Sequence, residues 1–113
     1  MAFNGDGAVR AWGTSDTSAN NTKSYGISSL ADSGTGRLGV TMSVASSDHH
    51  YCVITNHSKN GNTNPNEVTY IFDNTSTGGS SKNTTTFEIR VNSATGGIND
   101  FATDYYFAIY DDF

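Results

Sequence analysis

The sequence predicts an all-β chain folded as a single β-sandwich, jelly-roll-like or immunoglobulin-like, of about seven or eight short antiparallel strands. Three observations predict it. Short apolar or alternating runs recur between polar turns along all 113 residues. Ser, Thr, Asn and Gly dominate the rest, with two leucines and one proline, a composition of strands and turns. No segment repeats its apolar residues with a helical period of 3.6.

"AVRAW" (8–12) is expected as a first strand, with Val9 and Ala11 on one side and Arg10 and Trp12 on the other. "SYGISSL" (24–30) follows as one strand in which Tyr25, Ile27 and Ser29 alternate. "RLGVTMSV" (37–44) carries the strictest alternation, so Leu38, Val40, Met42 and Val44 should cover a core. Before it, "DSGTG" (32–36) has the glycines of a hairpin that needs positive φ.

"YCVIT" (51–55) is apolar on both faces, which predicts a central strand buried on both sides, with Cys52 a small buried hydrophobe. "EVTYIF" (67–72) sets Val68, Tyr70 and Phe72 on one face. "TTFEIRV" (85–91) turns Phe87, Ile89 and Val91 inward and Glu88 and Arg90 outward. "DYYFAIYDDF" (104–113) sets Tyr105, Phe107 and Ile109 against Tyr106, Ala108 and Tyr110. Aromatic residues on both faces of several strands leave apolar surface to cover, which self-association would do. Residues 1–113 form one domain, because a chain this short supports one core.

Charge and composition narrow the function. A net charge of −5 argues against nucleic acid and against an anionic membrane surface. No apolar run is long enough to insert in a membrane as a helix. The start "MAFNGDGAVRAWG" lacks the basic, then apolar pattern of a signal peptide, and the single cysteine cannot pair within the chain. Both point to synthesis in a reducing cytoplasm. No nucleophile elbow, phosphate loop or paired carboxylates in a cleft are visible, so no catalytic residue is assigned and the chain is expected not to be an enzyme.

The corner "SSDHH" holds the densest set of polar ligand types, Asp48, His49 and His50. Adjacent histidines in an extended segment point to opposite sides, so Asp48 and His50 are the better pair, with His57 the only other histidine. No metal-ligand spacing accompanies them, and neither a metal nor a cofactor is assigned. A solvated strand corner or a binding surface is expected there, and three copies on a threefold axis would bring one histidine together. The polar loops 56–66, 73–83 and 92–104 are where a rigid sandwich carries binding, and Asn60, Asn62 and Asn64 are the candidates within the first. Trp12 is expected to pack against a neighbouring subunit or to cover the open end of the sandwich.

"AVRAWGT", then "SYGISSLADSGTGRLGVTMSVASSDHHYCVI", then "TTFEIRVNSATGGINDFATDYYFAIYDDF" resembles a C-terminal module of bacteriophage tail-fibre and other virion proteins, common in phages of marine bacteria, cyanophages included. The matching positions are Ile27 to Leu30, Asp32, Gly34 to Gly36, Val40 and Tyr51, then Phe87, Ile89, Arg90, Asp104 and Tyr105. Arg37 and Gly39 depart from the family pattern, as does "SSDHH", so that corner is this chain's own.

The resemblance implies a β-sandwich virion structural protein, made in the host cytoplasm and carried on the virion. It implies a fibre tip or receptor-binding domain, homotrimeric, contacting other virion proteins and a host glycan or receptor. The alternative is a capsid or tail decoration protein with a purely structural role. Because Met1 stands directly before the module, a stand-alone protein and an excised tip domain are both expected forms.

Overall fold

The computed structural model describes residues 8–16, 18–34, 36–57, 67–72, 82–93 and 104–111. They form eight antiparallel strands: β1 Ala8–Ser15, β2 Asn21–Tyr25, β3 Ile27–Gly34, β4 Arg37–Met42, β5 Cys52–His57, β6 Glu67–Phe72, β7 Thr86–Ser93 and β8 Tyr105–Asp111. Two four-stranded sheets result, ordered β2-β1-β8-β5 and β3-β4-β7-β6. The expected β-sandwich is what forms.

The pairing order chooses between the two architectures. Followed from β3, strands β3, β4, β7 and β6 oppose β5, β8 and β1, which is the A-B-E-D against C-F-G order of an immunoglobulin constant-type sandwich. The chain is opened between the strands equivalent to F and G, and β2 is added beyond β1. Ala8 therefore pairs with Asp111, at the two extremes of the described chain.

The core lies where the inward alternations meet. Leu38, Val40 and Met42 of β4 and Phe87, Ile89 and Val91 of β7 face Ala11 of β1 and Tyr105, Phe107 and Ile109 of β8. Aromatic edges lock it, with Phe87 edge-on to Phe107 at 6.0 Å and to Tyr51 at 6.2 Å between centroids. Gly13 stands directly across from Phe107, and a Cβ there would fall 2.5 Å from the ring's Cζ. The aromatic ring occupies the space that a side chain at residue 13 would need.

Four expectations change. The run 24–30 is two strands, because Gly26 takes φ +71° and passes the chain from one sheet to the other. Val9 and Ala11 lie on opposite faces, since a bulge makes Arg10 an extra residue between Val9↔Tyr110 and Ala11↔Ile109. β4 ends at Met42, leaving Val44 66% exposed. And among the described residues β5 is an edge strand, paired only with β8, so Cys52 and Ile54 are exposed where burial on both faces was expected.

The bulged Arg10 has a structural task. Its guanidinium donates to Asp111 Oδ2 at 2.8 Å and to the Ala45 carbonyl at 2.5 Å, and Ser46 Oγ donates to the same Asp111 oxygen at 2.6 Å. This buried cluster ties the 43–51 connection to the ends of β1 and β8. The other anchor is Tyr51, whose hydroxyl donates to the carbonyls of Asn83 and Thr86 while Lys82 Nζ donates to the Tyr51 carbonyl.

Turns follow their residues. The β3–β4 hairpin uses Gly34 at φ 124° and Gly36 at φ 65°, with Asp32 Oδ1 accepting from the Gly34 N–H, as "DSGTG" predicted. The β1–β2 hairpin is built on Asp16, whose carboxylate accepts from the Ser18 and Asn20 N–H groups and from the Asn20 side chain. Hydrogen bonds from Asn20, side chain first, hold that carboxyl below its ordinary value.

Candidate functional site

The two outer faces of the sandwich differ in chemistry. On the β3-β4-β7-β6 sheet, Glu88 accepts from Arg90 Nε at 2.8 Å, and Arg37 Nε lies 3.9 Å from the same oxygen. The Arg90 guanidinium also stacks on the Phe72 ring, 3.2 Å from its centroid. This face is charged, with two guanidiniums gathered around one carboxylate. Val68, Tyr70 and Phe72 share it, as their spacing implied.

The β2-β1-β8-β5 sheet presents the opposite. Cross-strand register builds a row across all four strands: Tyr25 opposite Trp12, Trp12 opposite Ala108, Ala108 opposite Ile54. A second row runs Val9, Tyr110, Cys52, and a third Lys23, Thr14, Tyr106, Asn56. Side chains directly opposite one another on antiparallel strands share a face, so these rows form one surface. Tyr25 is 64% exposed, Ile54 58%, Val9 45%, and Trp12 and Tyr106 40% each. Scattered apolar residues are ordinary on a surface, but five on one face are a patch.

The patch has relief. Ala108 is small between Trp12 and Ile54, and the dip above it, about 270 Å³, is walled by Trp12, Ile54 and Tyr106. Tyr25 and Trp12 stand beside it as a ridge. Past Tyr25 a second depression of about 480 Å³ opens over Met42 and Ala11, between Val44 and Arg10. The Arg10 guanidinium at its wall is already engaged with Asp111 and the backbone of residue 45. Trp12 thus lies on the sheet face and does not cover an end of the sandwich.

The Asp48 corner is an exposed turn. Asp48 Oδ1 accepts from the His50 N–H at 2.7 Å and lies 3.4 Å from His50 Nδ1. The backbone bond from His50 is the main reason its carboxyl stays below the ordinary value. Asp48 and His50 do pair. His49 and His50 do not diverge, however: the chain bends here, and their rings lie side by side, 4.1 Å between centroids. Among the described residues no three His, Cys, Asp or Glu side chains are placed to hold a metal ion. His57 is at the other end of β5 from this corner, about 17 Å along a strand of that length.

Asn60, Asn62 and Asn64 lie outside the described residues. The residues that flank their segment, His57 and Glu67, stand at the end of the sandwich where His57 pairs with Tyr105 and Glu67 with Ser93. The Asp48 corner, Ala8 and Asp111 are at the opposite end, so the two groups of candidates do not share a site. The apolar face that these rows form is only partly legible in the sequence. Trp12 was singled out, whereas Tyr25, Ile54 and Tyr106 were not. The signal was the second apolar alternation of β8, continued by register onto its neighbours.

Comparison of the chain with protein-family models, with curated proteins and with solved structures returned no match. No helix among the described residues is long and apolar enough to cross a membrane.

Proposed function

We propose that this chain is a structural module of a bacteriophage virion, acting as a tail-fibre tip or receptor-binding domain in trimeric form, without enzymatic activity. The observation that carries the reading is the run "ISSLADSGTGRLGV", in which Ile27 to Leu30, Asp32, Gly34 to Gly36 and Val40 resemble the signature of such modules in residue identity and not only in alternation. Two features of the fold support it. The residues that flank segments 58–66 and 94–103 gather at one end of the sandwich, and Ala8 and Asp111 at the other, as display outward from an attachment requires. One sheet face is apolar, as a subunit of an assembly requires.

Immunogold labelling of the virions that carry the chain, paired with adsorption competition by the purified protein, tests this reading. Label at fibre ends together with blocked adsorption is the expected result. Label on the capsid without competition assigns a decoration protein instead. Virions without label refute both.

A further inference from the structure

We infer that the outer face of the β2-β1-β8-β5 sheet is where copies of this chain meet, the Trp12–Tyr25 ridge of one copy seated in the Ala108 groove of its neighbour. This deepens, and rests on, the assembled module proposed above.

Area is the first argument. With whole-residue surfaces of roughly 150–250 Å², the exposed fractions of Val9, Trp12, Tyr25, Ile54 and Tyr106 amount to about 500 Å². Cys52, Ala108, Tyr110, Thr14 and Asn56 complete the same rows and bring the face toward the ~800 Å² per partner of a stable protein interface. On the opposite sheet the Arg37–Glu88–Arg90 network places three ions on the two central strands, and Val68 is the one large apolar residue of its outer face that is more than a third exposed among the described residues.

Charge is the second. Copies of a chain with net charge −5 repel one another over most of their surface. None of the described carboxylates occupies an outward position of this sheet. Asp111 turns inward and is 7% exposed, Asp16 and Asp48 lie in end loops, Asp104 is exposed at the rim just before β8, and Asp32, Glu67 and Glu88 are on the other sheet. Lys23 is the one charged side chain in the three rows. Within these rows a basic partner finds no carboxylate and an acidic one finds a single cation. What fits is another uncharged apolar face with matching relief, and the chain itself supplies it.

Light scattering coupled to gel filtration, from ~1 to ~200 μM to bracket micromolar dissociation constants, tests the inference on the wild type and on the double variant Tyr25→Lys/Ile54→Lys. Both side chains are more than half exposed, so circular dichroism and the unfolding midpoint should stay native in the variant. The wild type is expected to run as a discrete oligomer and the variant as a monomer. Cys52 is a built-in reporter, since its thiol lies in the same face. Its reaction with a maleimide should be about tenfold or more slower in the wild type than in the variant.

A wild type that is monomeric throughout overturns the inference. So does an oligomer that survives the double substitution, although if that oligomer is a trimer the fibre reading stands. An assembly of two chains, dissolved by the substitutions, supports the face and overturns the trimer. A monomer whose Cys52 is shielded only by added oligosaccharide makes the face a glycan platform and overturns the inference.

Discussion

Gly13→Ala should destabilise the sandwich for want of space, and the cost is worked from the core. Gly13 has no positive φ to preserve, so backbone strain is not the issue. A Cβ would sit 2.5 Å from Phe107 Cζ and 3.1 and 3.2 Å from the flanking ring carbons. Carbon contacts are comfortable at about 3.5–4.0 Å, so the ring must withdraw by roughly 1 Å. Phe107 is 4% exposed and backs onto Phe87, itself 1% exposed and held edge-on between Phe107 and Tyr51. Overpacking of this kind costs about 1–3 kcal/mol, and removing a strand glycine returns about 0.5–1 kcal/mol. A net loss of about 1–2 kcal/mol is expected.

The decisive measurement is a double-mutant cycle with Phe107→Leu, read by urea unfolding monitored through Trp12 fluorescence and far-ultraviolet circular dichroism. Leucine ends before the position of Cζ and vacates the space that the alanine needs. The double variant should therefore be more stable than the sum of the single losses by about 1 kcal/mol or more. Strict additivity, or a neutral Gly13→Ala, would refute the steric account.

Two further outcomes follow from the same geometry. Asp111→Ala strands Arg10 and the Ser46 hydroxyl in a site where their side chains have little water. Denaturant unfolding should show a loss of about 3 kcal/mol, much of it recovered by the apolar pair Arg10→Met/Asp111→Leu. Asp16, by contrast, governs a pH effect. Its folded pKa is lowered by the bonds from Asn20, so its contribution is fully present above the unfolded value near 3.8 and is lost as pH falls through the lower folded value. Carboxyl-carbon NMR should place its midpoint below 3.8, and Asn20→Ala should move that midpoint back up.

Much of the sandwich was legible because alternation reports which face is buried. The inward faces of β4, β7 and β8 fell where period two put them, and the Asp32–Gly36 turn was written in its glycines. What alternation cannot report is a change of partner. The run 24–30 keeps its period across Gly26 while the chain moves to the other sheet. A bulge such as Arg10 inverts the phase without changing composition. The apolar run of β5 resembles that of a central strand, because its exposed outward face carries the same residue types as its inward one. At the Asp48 corner the expected Asp48–His50 pair forms, and only the divergence of the two histidines is lost, to a local bend that sets their rings side by side.

The pairing of β1 with β8 also bears on how the protein is made. β1 is synthesised well before its central partner β8, with Arg10 and Asp111 separated by 101 residues. Synthesis runs from the N-terminus at a finite pace, and pairings so distant in sequence form late and slowly. A chain broken off before residue 105 has no β8, so β1 and β5 both lack their neighbour and the Arg10 guanidinium lacks its carboxylate. Such fragments cannot complete the Trp12–Ala108–Ile54 row. Closure of this sheet, and with it the outward row, is therefore open only to chains translated through β8.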